Sequence, residues 1–240
     1  MSGLNKAQDM TVINLPGGPL ARRQLRVVYV IDTSGSMKGD KIQTVNYAMR
    51  EMIPVMRAIA NEQPNADLTV QVMGFNDTAT WHTQKPTPVA EFEWHEVHAN
   101  GGTQMGSAFH KLSMELAAAS VMETRSLPPL LILLSDGQPT DKIDMGLRSV
   151  MNQVLGRKAV RVAIAIGHDA DKSTLAQFVA NSEIPVFEAH NSASLFNLIR
   201  WASTSVVQSV ASPLSRASSH SVLLPILPDT TPTSEGSSAW

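Results

Sequence analysis

Three short stretches of this chain carry oxygen-bearing side chains at spacings that suit chemistry: Asp32-Thr33-Ser34-Gly35-Ser36, Gly101-Gly102-Thr103 and Ser135-Asp136-Gly137. Asp32, Ser34 and Ser36 alternate, so an extended loop can aim all three at one point, and Gly35 lets the backbone pass close beneath them. Among their side chains, two carboxylates (Asp32 and Asp136) and three hydroxyls (Ser34, Ser36 and Thr103) form the candidate set, with no nitrogen or sulfur donor. That set suits a hard divalent cation. Magnesium takes oxygens in near-octahedral geometry, uses few carboxylates and keeps some of its water. The expected cofactor is therefore Mg2+, with Mn2+ or Ca2+ accepting the same donors. Any one stretch reads equally well as a turn or a helix cap, Thr103 included. Three unrelated turns have no reason to complete an oxygen set between them.

The elements that must position these residues are legible as alternating strands and helices. Leu25 to Ile31 is a continuous β-branched run that suits a strand buried on both faces of a parallel sheet; Leu130 to Leu134 and Val160 to Ile166 read the same way, and Ile184 to Phe187 more weakly. Ile42, Val45, Met49, Met52, Ile53, Met56 and Ile59 mark one face of a long helix, with Pro54 as a kink. Met105 to Leu116, Leu147 to Leu155, Leu175 to Val179 and Leu195 to Ala202 mark four more helices, the first capped by Thr103. The stretch from Leu68 to Thr83 alternates, breaks at Asn76-Asp77 and resumes, which predicts a hairpin at one side of the sheet. The fold class is α/β: a doubly wound, mostly parallel sheet with one antiparallel edge strand and helices on both faces. The expected organisation is an irregular lead-in over 1–24, one domain over 25–205 and a flexible Ser/Pro-rich tail over 206–240, with an apolar island from Val222 to Pro228. In such sheets ligands bind at the carboxyl ends of the strands, where all three stretches fall.

An apolar strand running into Asp-x-Ser-x-Ser, a later Gly-Gly-Thr, and a later apolar strand ending in Ser-Asp-Gly resemble the von Willebrand factor A domain and its metal-ion-dependent adhesion site. The resemblance covers about residues 25 to 205 and implies direct coordination by Ser34, Ser36 and Thr103, with Asp32 and Asp136 acting directly or through water. It also implies a protein–protein interaction module in which an Asp or Glu of a partner completes the shell of the cation. Ligation in that family is coupled to closure of the Thr103 loop and a shift of a late helix. Leu15-Pro16-Gly17-Gly18-Pro19-Leu20 ahead of Val30-Ile31-Asp32-Thr33-Ser34-Gly35-Ser36-Met37 further resembles the bacterial TerY-like branch. That branch implies tellurite resistance, stress response and a kinase or phosphatase partner. Lys38, Asn76, Asp77, Gln104, Met105, Gln138, His168 and Asp169 lie in predicted loops at the same end and are the expected partner-binding rim.

Other functions fare worse on the residues present. With 19 basic against 21 acidic residues there is no excess of positive charge for nucleic acid. The absence of cysteine excludes disulfide scaffolds and thiolate metal sites. His95-Glu96-Val97-His98 lacks the zincin spacing. Neither a secretory leader nor a long apolar stretch is evident, so a cytoplasmic protein that does not span a membrane is expected. A metal-dependent phosphatase or phosphotransferase is the alternative, but Ser34 stands where haloacid-dehalogenase-like enzymes resemble one another in carrying a second aspartate. No phosphate loop or nucleophile elbow is present. The expectation is no catalytic activity. A subunit of an ATPase or chelatase machine would use the same site chemistry.

Overall fold

The computed structural model describes residues 22–63, 66–122, 126–180 and 184–208. The lead-in up to residue 21, the tail from 209 and the apolar island lie outside the described residues. The element order is β1 (Arg23–Asp32), α1 (Asp40–Glu62), β2 (Ala66–Phe75), β3 (Ala79–Trp81), β4 (Thr87–Pro88), α2 (Met105–Met122), β5 (Leu130–Ser135), α3 (Ile143–Asn152), α4 (Val154–Lys158), β6 (Val160–Ile166), α5 (Lys172–Val179), β7 (Phe187–Ala189) and α6 (Ser192–Trp201). One 3-10 turn, Gly35–Met37, precedes α1, and a π turn, Ala202–Val206, follows α6.

The sheet runs β3-β2-β1-β5-β6-β7, with β4 also on the outer edge of β2. β1, β2, β5, β6 and β7 are parallel, and only β3 and β4 run antiparallel. The chain therefore leaves β1 in one direction towards β2 and returns on its other side at β5. Since parallel crossovers are right-handed, this reversal puts successive helices on opposite faces and opens a crevice between the ends of β1 and β5. α1 packs with α6, while α2 packs with α3 and α4. Phe109 of α2 stacks on Phe178 of α5 at 5.3 Å, joining that helix to the second layer.

The apolar runs lie where burial on two faces demands them. Every residue of β5 and β6 is buried, as is β1 from Leu25 onward. The hairpin is present, but β2 is nearly as buried as the central strands, so its apparent alternation marks no solvent face. Three boundaries differ from expectation. The last strand is Phe187–Ala189 and Ile184 lies before it; the helix around Leu147 to Leu155 is broken at Gln153 into two; and the two-residue β4 carries no signal in its sequence. Pro54 sits inside α1, which continues past it for eight residues to Glu62. Among the described residues no helix is long and apolar enough to cross a membrane.

Candidate metal centre

Asp32 ends β1 and Asp136 follows β5, so strand pairing alone brings the two carboxylates to adjacent positions at the crevice. Both are fully buried. Asp32 is held from two sides: its Oδ1 accepts the Ser34 amide at 2.9 Å and its Oδ2 accepts the Ser135 hydroxyl at 2.6 Å. Ser135 in turn accepts the Gly137 amide at 2.9 Å, which fixes the turn carrying Asp136. Burial pushes the Asp32 carboxyl above its ordinary range; hydrogen bonds from Ser135 and Ser34 oppose that push, and the charge of Asp136 adds to it. The Ser34 and Ser36 hydroxyls lie 3.0 Å apart, Ser34 buried and Ser36 exposed.

The third segment is strapped to the first. Gly35 donates its amide to the Gly101 carbonyl, and Asn100 donates to that of Thr33, each at 2.8 Å. Gly102 donates to Asp77 Oδ1 at 2.8 Å, and a Cβ at Gly101, whose φ is +71°, would overlap that same carboxylate. Only glycine fits there. Thr103, 4% exposed, pairs with Thr140 through its amide at 3.1 Å and its carbonyl at 2.9 Å. It is not the cap of α2: both oxygens of Asp141 take the first-turn amides of Gly106 and Ser107, each at 2.9 Å. With that duty met from another loop, the Thr103 side chain is not required as a cap.

All five residues of the candidate set thus lie in β1's last position or in the segments that follow the strands at one end of the sheet. Of the expected rim, Lys38, Asp77, Gln138, His168 and Asp169 are exposed, and Asn76 and Gln104 are half-buried. Met105 is wholly buried as the first core residue of α2, so it presents no side chain to a partner. Gln138 donates to the Asp169 carbonyl at 3.0 Å, and Asn76 to Asn100 Oδ1 at 2.6 Å, which ties the rim loops together. Beside Asp77 an open groove of about 520 Å³ runs along α2 past Trp81, Ser107, Lys111 and Met114, the last 62% exposed. Sequence reasoning missed Lys41, Thr140 and Asp141. None has a local signature, because each acts on a segment distant in the chain.

Whether these residues fit a cation is decided by Asp136. Its Oδ2 has Lys41 Nζ at 3.5 Å, and its Oδ1 is buried with no hydrogen-bond partner among the described residues. A buried anionic oxygen left bare is costly unless a positive group meets it. Two buried carboxylates facing hydroxyls fit a hard divalent ion. Among the described residues no three His, Asp or Glu side chains are arranged to hold a metal, so an ion at this place would need hydroxyl donors as well.

A sequence profile of the von Willebrand factor type A domain matches residues 27–201. The chain is 30% identical over 169 residues to human inter-alpha-trypsin inhibitor heavy chain H6, a match covering 62% of this chain but 12% of that protein's length. Among solved structures it is similar to a von Willebrand factor type A protein from Catenulispora acidiphila (TM-score 0.58, 18% identity, 76% of this chain and 42% of that one). It is also similar to proximal thread matrix protein 1 of the mussel byssus with a zinc-occupied MIDAS motif (TM-score 0.55, 16% identity, 75% of this chain and 47% of that one). The chain spans less than half the length of each of these proteins.

Proposed function

The chain belongs to the von Willebrand factor type A domain family, and from that premise we propose that it is a protein-interaction module whose binding runs through a divalent cation. Asp32, Ser34, Ser36, Thr103 and Asp136 hold the ion, most simply Mg2+, with Mn2+ and Ca2+ as substitutes. The observation that carries this reading is the buried Oδ1 of Asp136, without a hydrogen-bond partner among the described residues, beside the buried Asp32. Neutral hydroxyls in direct ligation, with a coordination position left open, keep the ion electrophilic towards an Asp or Glu of a partner protein.

The chain's own residues supply the rest. Ser135 and the Ser34 amide orient Asp32. The Gly35–Gly101 bond ties the Thr103 segment to the Asp32–Ser36 segment. Asp77, Gln138 and His168 surround it with polar groups that select among partners. A TerY-like stress-response role with a kinase or phosphatase partner in the cytoplasm belongs to the same proposal. It rests on Leu15 to Leu20, outside the described residues.

The test is calorimetric titration of Mg2+ and Mn2+ into wild type and Asp136→Ala, followed by affinity capture from source-cell lysate in magnesium, in chelator, and with the variant. Metal binding lost in Asp136→Ala, with one protein captured only by wild type in magnesium, is the expected result. Equal capture in all three conditions would move the function away from the crevice.

A further inference from the structure

Lys41 is the second residue of α1, yet its side chain is only 12% exposed, because it lies across the crevice towards the loop after β6. Its ammonium donates to Asp169 Oδ1 at 2.8 Å and stands 3.5 Å from Asp136 Oδ2. Room for it comes from Gly167, the residue that follows β6. A Cβ at that glycine would come within 2.6 Å of Lys41 Cε and 3.1 Å of Nζ, and its φ of +94° disfavours any side chain. The fold thus places a cationic group directly behind one carboxylate of the candidate metal set, on the oxygen opposite the bare one.

We infer that Lys41 is the charge-balancing residue of the centre, dividing binding strength between the cation and the acidic group of the partner; the inference rests on the proposed metal-dependent function. The formal charges argue it. Asp32, Asp136 and Asp169 are three negative charges and Lys41 one positive, so this group of four residues carries two negative charges. A divalent ion brings the assembly to neutrality, and the carboxylate of a partner then meets no net repulsion. Without Lys41 the protein would hold the ion more tightly, but the loaded site would stay negative and repel the partner's acid. Charges this close act on both events with opposite sign.

A purely mechanical tether between α1 and the loop after β6 would behave differently. Breaking it from either end would loosen Asp136 and weaken the metal. Charge balance instead predicts opposite shifts from the two ends. The experiment titrates Mn2+ calorimetrically into wild type, Lys41→Met, Lys41→Arg and Asp169→Asn. Acetate is then titrated into each Mn2+-loaded protein and followed by water-proton relaxation. Lys41→Met is expected to bind Mn2+ about fivefold more tightly and acetate about fivefold more weakly. Asp169→Asn should do the reverse, and Lys41→Arg should stay near wild type. Should Lys41→Met fail to fold, Asp169→Asn carries the test alone, since its carboxylate is 60% exposed. Weaker Mn2+ with stronger acetate supports charge balance; weaker Mn2+ without a gain in acetate overturns it. Weaker Mn2+ in both variants, or no change in either, also overturns it while leaving metal binding itself intact. Failure of wild type to bind Mn2+ would overturn the proposed function and this inference together.

Discussion

At the scale of single residues, the centre depends on hydrogen bonds that orient its carboxylates as much as on the carboxylates themselves. Ser135 is the clearest case: wholly buried, it donates to Asp32 and receives the Gly137 amide. Ser135→Ala strips a donor from a buried carboxylate oxygen, a loss of about 1–3 kcal/mol. Denaturant unfolding should register it as a lower midpoint with unchanged slope. The candidate ligands were legible because aspartate, serine and threonine clustered at strand ends are an unusual coincidence of type and place. Lys41 was not, since a lysine in the first turn of a helix is ordinarily a solvated surface residue. Only the glycine at 167, distant in sequence, makes room for it. Met105 misled in the opposite way, as a residue adjoining a loop whose side chain turns inward with its helix.

At the scale of elements, one helix is capped by a partner that local sequence does not reveal and another by its own first turn. The α2 helix is capped by Asp141, which arrives from the loop after β5, so Thr103 was the natural expectation and the wrong one. Asp141→Ala should cost about 1 kcal/mol and speed hydrogen exchange at Gly106 and Ser107. The α5 helix is capped from within: Asp171 accepts from both Ser173 and Thr174, and those bonds hold its carboxyl below the usual range. A carboxyl depressed on folding adds stability above its unfolded pKa of about 3.9, and the gain disappears as pH falls through the lower native value. The melting gap between wild type and Asp171→Asn should therefore be full at neutral pH and vanish in acid. Pro54 offers a change of the other sign. It interrupts the amide ladder on the exposed side of α1, and the helix persists because Met52, Ile53, Met56 and Ile59 are buried beneath it. Pro54→Ala should raise thermal stability, by up to about 3 kcal/mol. Long, uniformly apolar strands were legible to within a residue or two. The three-residue β7 and the two-residue β4 were not, because strands that short owe their pairing to neighbours already in place.

Across the whole molecule, the first strand is also the hub of the C-terminal end. The Tyr29 hydroxyl in β1 lies 2.6 Å from the Ser203 hydroxyl in the π turn after α6, both groups fully buried. Tyr29→Phe leaves Ser203 unsatisfied and should cost about 1–2 kcal/mol, or roughly 2–5 °C in melting temperature. Mn2+ affinity should not move, because Tyr29 lies within β1 and makes no bond to the crevice loops. The central place of β1 has a further consequence while the protein is being made. β2 follows it closely, but its other neighbour β5 pairs Leu130 with Val27, roughly a hundred residues later. At about 5–20 residues per second, the ribosome needs on the order of 5–20 s to supply that second neighbour. For that interval one flank of a strand buried from Leu25 to Asp32 stands open, and growing chains of this protein should be held by chaperones until β5 has emerged.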